Sequence, residues 1–189
     1  MALSKIDVAN MLTGTIPVDN SKSGSILQVQ STLLTTSFEV TCTGTSTTNG
    51  SITDITGLSV NITPSSTSSK IMILCRIFYE PNNHNADAFF GLRDGSNNLI
   101  NTNTESGNWN KALTKGFVGY HLDDNNSTPD SANFFTIHSP NTTSQFTYKA
   151  YCGTGSSNKT YKFNRSHGDD DAHNYERGSS EIIAMEIKG

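Results

Sequence analysis

Ile52-Thr-Asp-Ile-Thr-Gly-Leu-Ser-Val-Asn-Ile-Thr-Pro64, then Ser65-Ser-Thr-Ser-Ser69, then Lys70-Ile-Met-Ile-Leu-Cys-Arg-Ile-Phe78, is the stretch that decides the fold of this 189-residue chain. From Leu58 to Ile62 every second residue is apolar, the pattern of a strand with one buried face. Gly57 marks a bend or bulge in that strand. Pro64 cannot donate a ladder hydrogen bond, so the strand ends there, and the serines make a solvated turn. In the next strand Ile71, Ile73, Cys75 and Ile77 point one way, while Met72, Leu74 and Phe78 point the other. A strand apolar on both sides is central in its sheet or lies at a subunit contact.

Outward from this pair, the composition fits more strands of the same kind. Hydrophobic residues are 33% and charged residues 16% of the chain. Ser, Thr and Asn supply roughly a third of it, which suits short strands joined by polar turns and suits helices badly. Strands are expected at Ser25–Ser31, Ser37–Cys42, Leu58–Thr63, Lys70–Tyr79, Ala86–Arg93, Asn98–Asn101, Leu113–Leu122, Ala132–His138, Gln145–Cys152, Lys159–Asn164 and Ser180–Lys188. Asn49-Gly50, Asn82-Asn83, Asp94-Gly95, Asp123-Asp124-Asn125-Asn126, Ser139-Pro140-Asn141 and Gly153-Thr154-Gly155 mark the loops between them. The fold class is all-β, an antiparallel sandwich and most simply a jelly roll, with no internal repeat. Residues 1–24 differ in character and read as an N-terminal docking arm, leaving residues 25–189 as the sandwich.

A net charge of −4 and a pI near 5.6, with no cluster of Lys and Arg, argue against nucleic acid as a partner. Cys42, Cys75 and Cys152 lack the spacing of a zinc site or a disulfide framework and read as buried small hydrophobes. Met1-Ala2-Leu3-Ser4-Lys5-Ile6-Asp7 has an early acid and no apolar run, so no secretion signal and no membrane insertion are expected.

Three pieces carry a resemblance: the Ile52–Phe78 phrase, the Phe89-Phe90-Gly91-Leu92-Arg93-Asp94-Gly95-Ser96 hairpin, and the closing Ser180-Glu181-Ile182-Ile183-Ala184-Met185-Glu186-Ile187. Together they resemble the fibre-tip β-sandwich modules of virion surface proteins from tailed phages of aquatic bacteria. The resemblance implies a homotrimeric jelly roll of the tumour-necrosis-factor and complement-head kind, made in the host cytoplasm and carried on the virion. It implies a structural, non-enzymatic protein acting in host adsorption as a tail fibre or receptor-binding tip. The arm would dock on other virion proteins, and the loops would meet cell-surface glycan or protein. A capsid decoration protein is the alternative in the same setting. A free carbohydrate-binding lectin and a small glycan hydrolase are the alternatives of another class.

For receptor binding the sequence offers Trp109, Tyr151, Tyr161 and Tyr175, aromatic residues placed in loops or at strand ends. Trp109 stacks on a sugar or anchors a protein contact in one reading; in the plainer one, which we prefer, it folds back over the sandwich end. His167, Asp169, Asp170, Asp171 and His173 form a candidate ion loop, although consecutive carboxylates point to opposite sides and lack the alternation of a calcium loop. A solvated acidic loop is the simpler expectation. His84, His121 and His138 are isolated and read as ordinary hydrogen-bonded histidines. No catalytic residue, cofactor or structural metal is expected.

Overall fold

The computed structural model describes residues 20–42, 52–81, 88–105, 109–116, 127–155, 158–168, 173 and 175–189. Its strands are β1 (Ile26–Leu34), β2 (Phe38–Cys42), β3 (Thr53–Ile62), β4 (Lys70–Pro81), β5 (Ala88–Asp94), β6 (Thr114–Lys115), β7 (Asp130–His138), β8 (Phe146–Thr154), β9 (Lys159–Phe163) and β10 (Ser180–Ile187). All pairings between them are antiparallel, and no α-helix occurs among the described residues.

One sheet has six strands in the order β1-β10-β4-β9-β2, with β7 also on β4. The second has four, in the order β3-β8-β5-β6. β4 is the central strand its two-sided apolar pattern requires. β10 pairs with its first part, Lys70–Arg76, β9 with its end, Tyr79–Pro81, and β7 with Ile71–Tyr79. Period-two alternation turns Ile71, Ile73 and Ile77 of β4 and Ile182 and Ala184 of β10 inward. They meet Leu58, Val60 and Ile62 of β3, Phe90 and Leu92 of β5, and Tyr148 and Ala150 of β8 in one core between the sheets.

Gly57 takes a positive φ of 80°, and the β3–β8 register shifts between Asp54 and Ser59, so the glycine does mark a bulge. At the Asp94-Gly95 turn the Asp94 carboxylate accepts hydrogen bonds from the Ser96 and Asn98 N–H groups, both at 2.8 Å. The chain then returns beside β5 only briefly, with Leu99 bridging Arg93 and the Ile100 N–H donating to the Leu92 carbonyl at 2.9 Å. Asn101, with φ 52°, turns it away, so the expected strand Asn98–Asn101 is reduced to a single bridge. The expected strand Leu113–Leu122 is seen over Thr114–Lys115, and residues 117–122 lie outside the described residues.

A second correction concerns Gly153-Thr154, read as a turn and found inside β8. The Phe89 ring lies where a Gly153 side chain would stand: a Cβ there would come within 2.2 Å of its Cζ. An aromatic side chain thus covers the glycine across the strands, and the ladder continues. Of the arm, residues 1–19 lie outside the described residues. Ser21 and Gly24 are tied to the chain's end, the Gly24 N–H donating to the Lys188 carbonyl at 2.8 Å and Lys188 Nζ to the Ser21 carbonyl at 2.6 Å.

Candidate functional site

The outer phases of β1, β10, β4 and β7 are as apolar as many inner ones. Cross-strand register aligns them into rows: Val29, Met185, Met72 and Ile137 form one, and Ser31, Ile183, Leu74 and Phe135 the next. Phe135 is 74% exposed, and Val29, Leu33 and Ile137 are each at least half exposed. A third row, Leu33, Glu181, Arg76 and Asn133, gives the patch a polar border. Leu74, Arg76, Asn133, Phe135, Glu181 and Ile183 line a groove of about 470 Å3 on this face. Contiguous exposed apolar surface of this kind is rare on solitary domains, which makes this face a candidate interaction surface.

The outer face of the four-stranded sheet is finished differently. Tyr151 and Phe89 occupy outward positions on β8 and β5, yet both are buried. Tyr151 lies across Gly91, where an added Cβ would come within 2.3 Å of its hydroxyl oxygen. The Tyr151 hydroxyl donates to the Lys111 carbonyl at 2.7 Å, so the segment at Lys111 covers it. Below this ring Arg93 and Lys149 both pair with Asp54, whose carboxyl is pushed up by burial but held below the usual range by hydrogen bonds from the two cations.

These facts sort the sequence-derived receptor candidates. Tyr151 is buried under the chain's own loop. Tyr161 is on the inner phase of β9, edge-on to Tyr79 at 6.2 Å, with its hydroxyl donating to the Gly153 carbonyl at 3.1 Å. Both are corrected to core residues, since neither ring reaches solvent. Tyr175 is half-buried against Gly168. Trp109 is 63% exposed and does not fold back over the sandwich, contrary to the plainer reading, so it alone of the four presents a full aromatic ring.

In the candidate ion loop, Asp169, Asp170 and Asp171 lie outside the described residues. The His167 N–H donates to Glu80 Oε2 at 2.7 Å, and burial lowers the pKa of its half-buried imidazole. His173 is exposed. No group of three or more metal-ligating side chains occurs among the described residues. His84 and His121 are outside the described residues; His138 shares a 3.0 Å hydrogen bond with the Tyr148 hydroxyl, as an ordinary structural histidine does.

The buried carboxylates are held by their own donors. Glu80 accepts from the Thr128 N–H and hydroxyl at 3.0 and 2.9 Å. Glu186, on the inner phase of β10, accepts from the Ser65 N–H and hydroxyl, the Ser69 hydroxyl and the Gln28 amide, all within 2.7 Å. Burial alone would push its pKa up; these hydrogen bonds prevail and hold it below the usual carboxylate range. Glu186 thus fixes structure by staying ionised.

Sequence reasoning found the outward Met72 and Leu74 but missed Val29, Leu33, Phe135, Ile137, Ile183 and Met185. The available signal was adjacent apolar pairs, Phe134-Phe135 and Ile182-Ile183, which mark strands with two apolar phases. Compared with known proteins, the chain matches no family model and no curated relative.

Proposed function

We propose that this chain is a non-enzymatic structural module of a tailed-phage particle, a jelly roll that trimerises through its six-stranded sheet and presents its loops in host adsorption. The observation that carries the self-association is the bare apolar face of β1, β10, β4 and β7, set against the covered outer face of the other sheet. With β2 and β9 counted as additions, the remaining eight strands run first–eighth–third–sixth in one sheet and second–seventh–fourth–fifth in the other. That order supports the jelly-roll reading, in which paired strands fold over together.

A second copy is the fitting occupant because the face carries its own complementary border. Glu181 and Arg76 stand opposite each other at its edge, so symmetric copies can exchange these charges around an apolar centre. The phage setting rests on the resemblance of the Ile52–Phe78, Phe89–Ser96 and Ser180–Ile187 segments. Exposed Trp109, on the excursion between Asn101 and Leu113, is the residue best placed to meet a glycan or protein receptor, with trimer avidity multiplying weak contacts. The caged carboxylates Glu80 and Glu186 favour a structural protein over the hydrolase alternative.

Sedimentation equilibrium tests the assembly: the expected species has three times the 20.4 kDa chain mass at micromolar concentration. A monomer would refute it. Labelling the chain on intact particles tests the setting, with tail label expected and head label favouring the decoration alternative.

A further inference from the structure

Cys42 ends β2 at the edge of one sheet, and Cys152 lies in β8, in the middle of the other. The sequence places them 110 residues apart, and the fold brings their sulfurs to 3.0 Å, both fully buried. All three cysteines are buried as the sequence suggested, but Cys75 faces the core from β4, whereas Cys42 and Cys152 face each other. A disulfide needs the sulfurs at about 2.05 Å, so closure asks for a movement of roughly 1 Å.

We propose that Cys42 and Cys152 are a modification site, a thiol pair that an external small-molecule disulfide converts into a cross-link between the two sheets. The Cys42 thiolate attacks one sulfur of the external disulfide and expels its other half as a thiol, leaving a mixed disulfide. The Cys152 thiolate then attacks the Cys42 sulfur and expels the second half. Two electrons pass from the protein pair to the oxidant, and the two thiol protons end on the released thiolates. Cys42 is the first nucleophile, because it ends edge strand β2 and is uncovered when that strand opens locally, whereas Cys152 lies in the middle of its sheet. The product joins β2 to β8 and closes a loop of 110 residues, which restricts the unfolded chain strongly. In a reducing compartment the pair stays open, and on transfer to an oxidising medium it locks the sandwich. The proposal does not depend on the trimer or on the phage setting.

The test is refolding of the full chain in a glutathione redox buffer, followed by alkylation in denaturant and peptide mapping without reductant. One free thiol, Cys75, and one linked peptide pair, Cys42 with Cys152, are expected. The melting temperature should exceed that of the reduced chain by about 10 °C. Cys42→Ala and Cys152→Ala should each abolish that rise, and Cys75→Ala should keep it. Three alkylated thiols, a glutathione adduct left on Cys42, or a linked peptide containing Cys75 would each overturn the assignment.

Discussion

Phe135→Asp separates the assembly from the fold. The ring is 74% exposed on the isolated chain, so its loss removes little from the core, and the change should alter the intrinsic stability of one copy by no more than about 0.5 kcal/mol. In a trimer the same ring is covered. Full burial of a Phe side chain is worth about 1.5–3 kcal/mol, and three-quarters of it remains to be buried, giving about 2 kcal/mol per copy. Three copies sum to about 6 kcal/mol, a loss of roughly 10^4-fold in the assembly constant. The desolvation of three carboxylates adds to that loss. Sedimentation velocity and melting across a hundredfold range of concentration give the readout. The parent should melt at a temperature that rises with concentration, and the variant should be a folded monomer whose melting does not. Trp109→Asp, which removes another exposed aromatic ring elsewhere, should leave the assembly intact. If Phe135→Asp sediments as the parent does, or if Trp109→Asp dissociates it, the sheet face is not the contact.

Gly153→Ala should destabilise the chain by about 1–3 kcal/mol, since its Cβ would meet the buried Phe89 ring at 2.2 Å; the double variant with Phe89→Leu should recover part of the loss in urea unfolding, and an unperturbed single variant would refute the packing argument. The Glu186 pKa is lowered on folding, so the stability it contributes is complete above its ordinary value near 4.5 and is lost as pH falls through the lower folded value. Glu186→Gln should therefore cost about 2 kcal/mol at pH 7 and flatten the decline in stability below pH 5, and an unchanged acid limb in denaturant titrations would show that other carboxylates control it. Trp109→Ala should weaken binding of the purified protein to host cells at least tenfold without changing its melting temperature; equal binding would place recognition elsewhere.

What was legible in the sequence was what local pattern controls. The alternation Leu58-x-Val60-x-Ile62 and the two-phase run Ile71–Phe78 gave β3 and the centrality of β4, and Asp94-Gly95 gave a turn closed by its own carboxylate. The errors arose where burial depends on distant chain. Tyr151 looks like a strand-end residue, but Gly91 and the Lys111 carbonyl, brought in from other segments, make a place for its ring. Tyr161 and Phe163 alternate as an inward pair does, a local signal of burial. Glu186 occupies the apolar phase Ser180-x-Ile182-x-Ala184-x-Glu186, and its cage comes from a turn more than a hundred residues earlier.

The two sheets together explain why, among the described residues, one face alone stays bare. A loop could cover the four-stranded sheet because the chain leaves β5 at Asn101 and returns at Leu113, beside that sheet's own edge. The outer face of β1, β10, β4 and β7 has no such excursion among the described residues, since β4 is bordered on one edge by β10 and β9 and on the other by β7. Polar outer residues would have been the simple solution there, as Arg93, Lys149 and Asp54 show on the other sheet. Instead each of the four strands places an apolar side chain outward in the same register row. Chance exposure scatters single hydrophobic residues; it does not align them across four strands from distant parts of the sequence. The alignment is that of a surface shaped for a matching surface, which in the proposed assembly is a copy of the same chain.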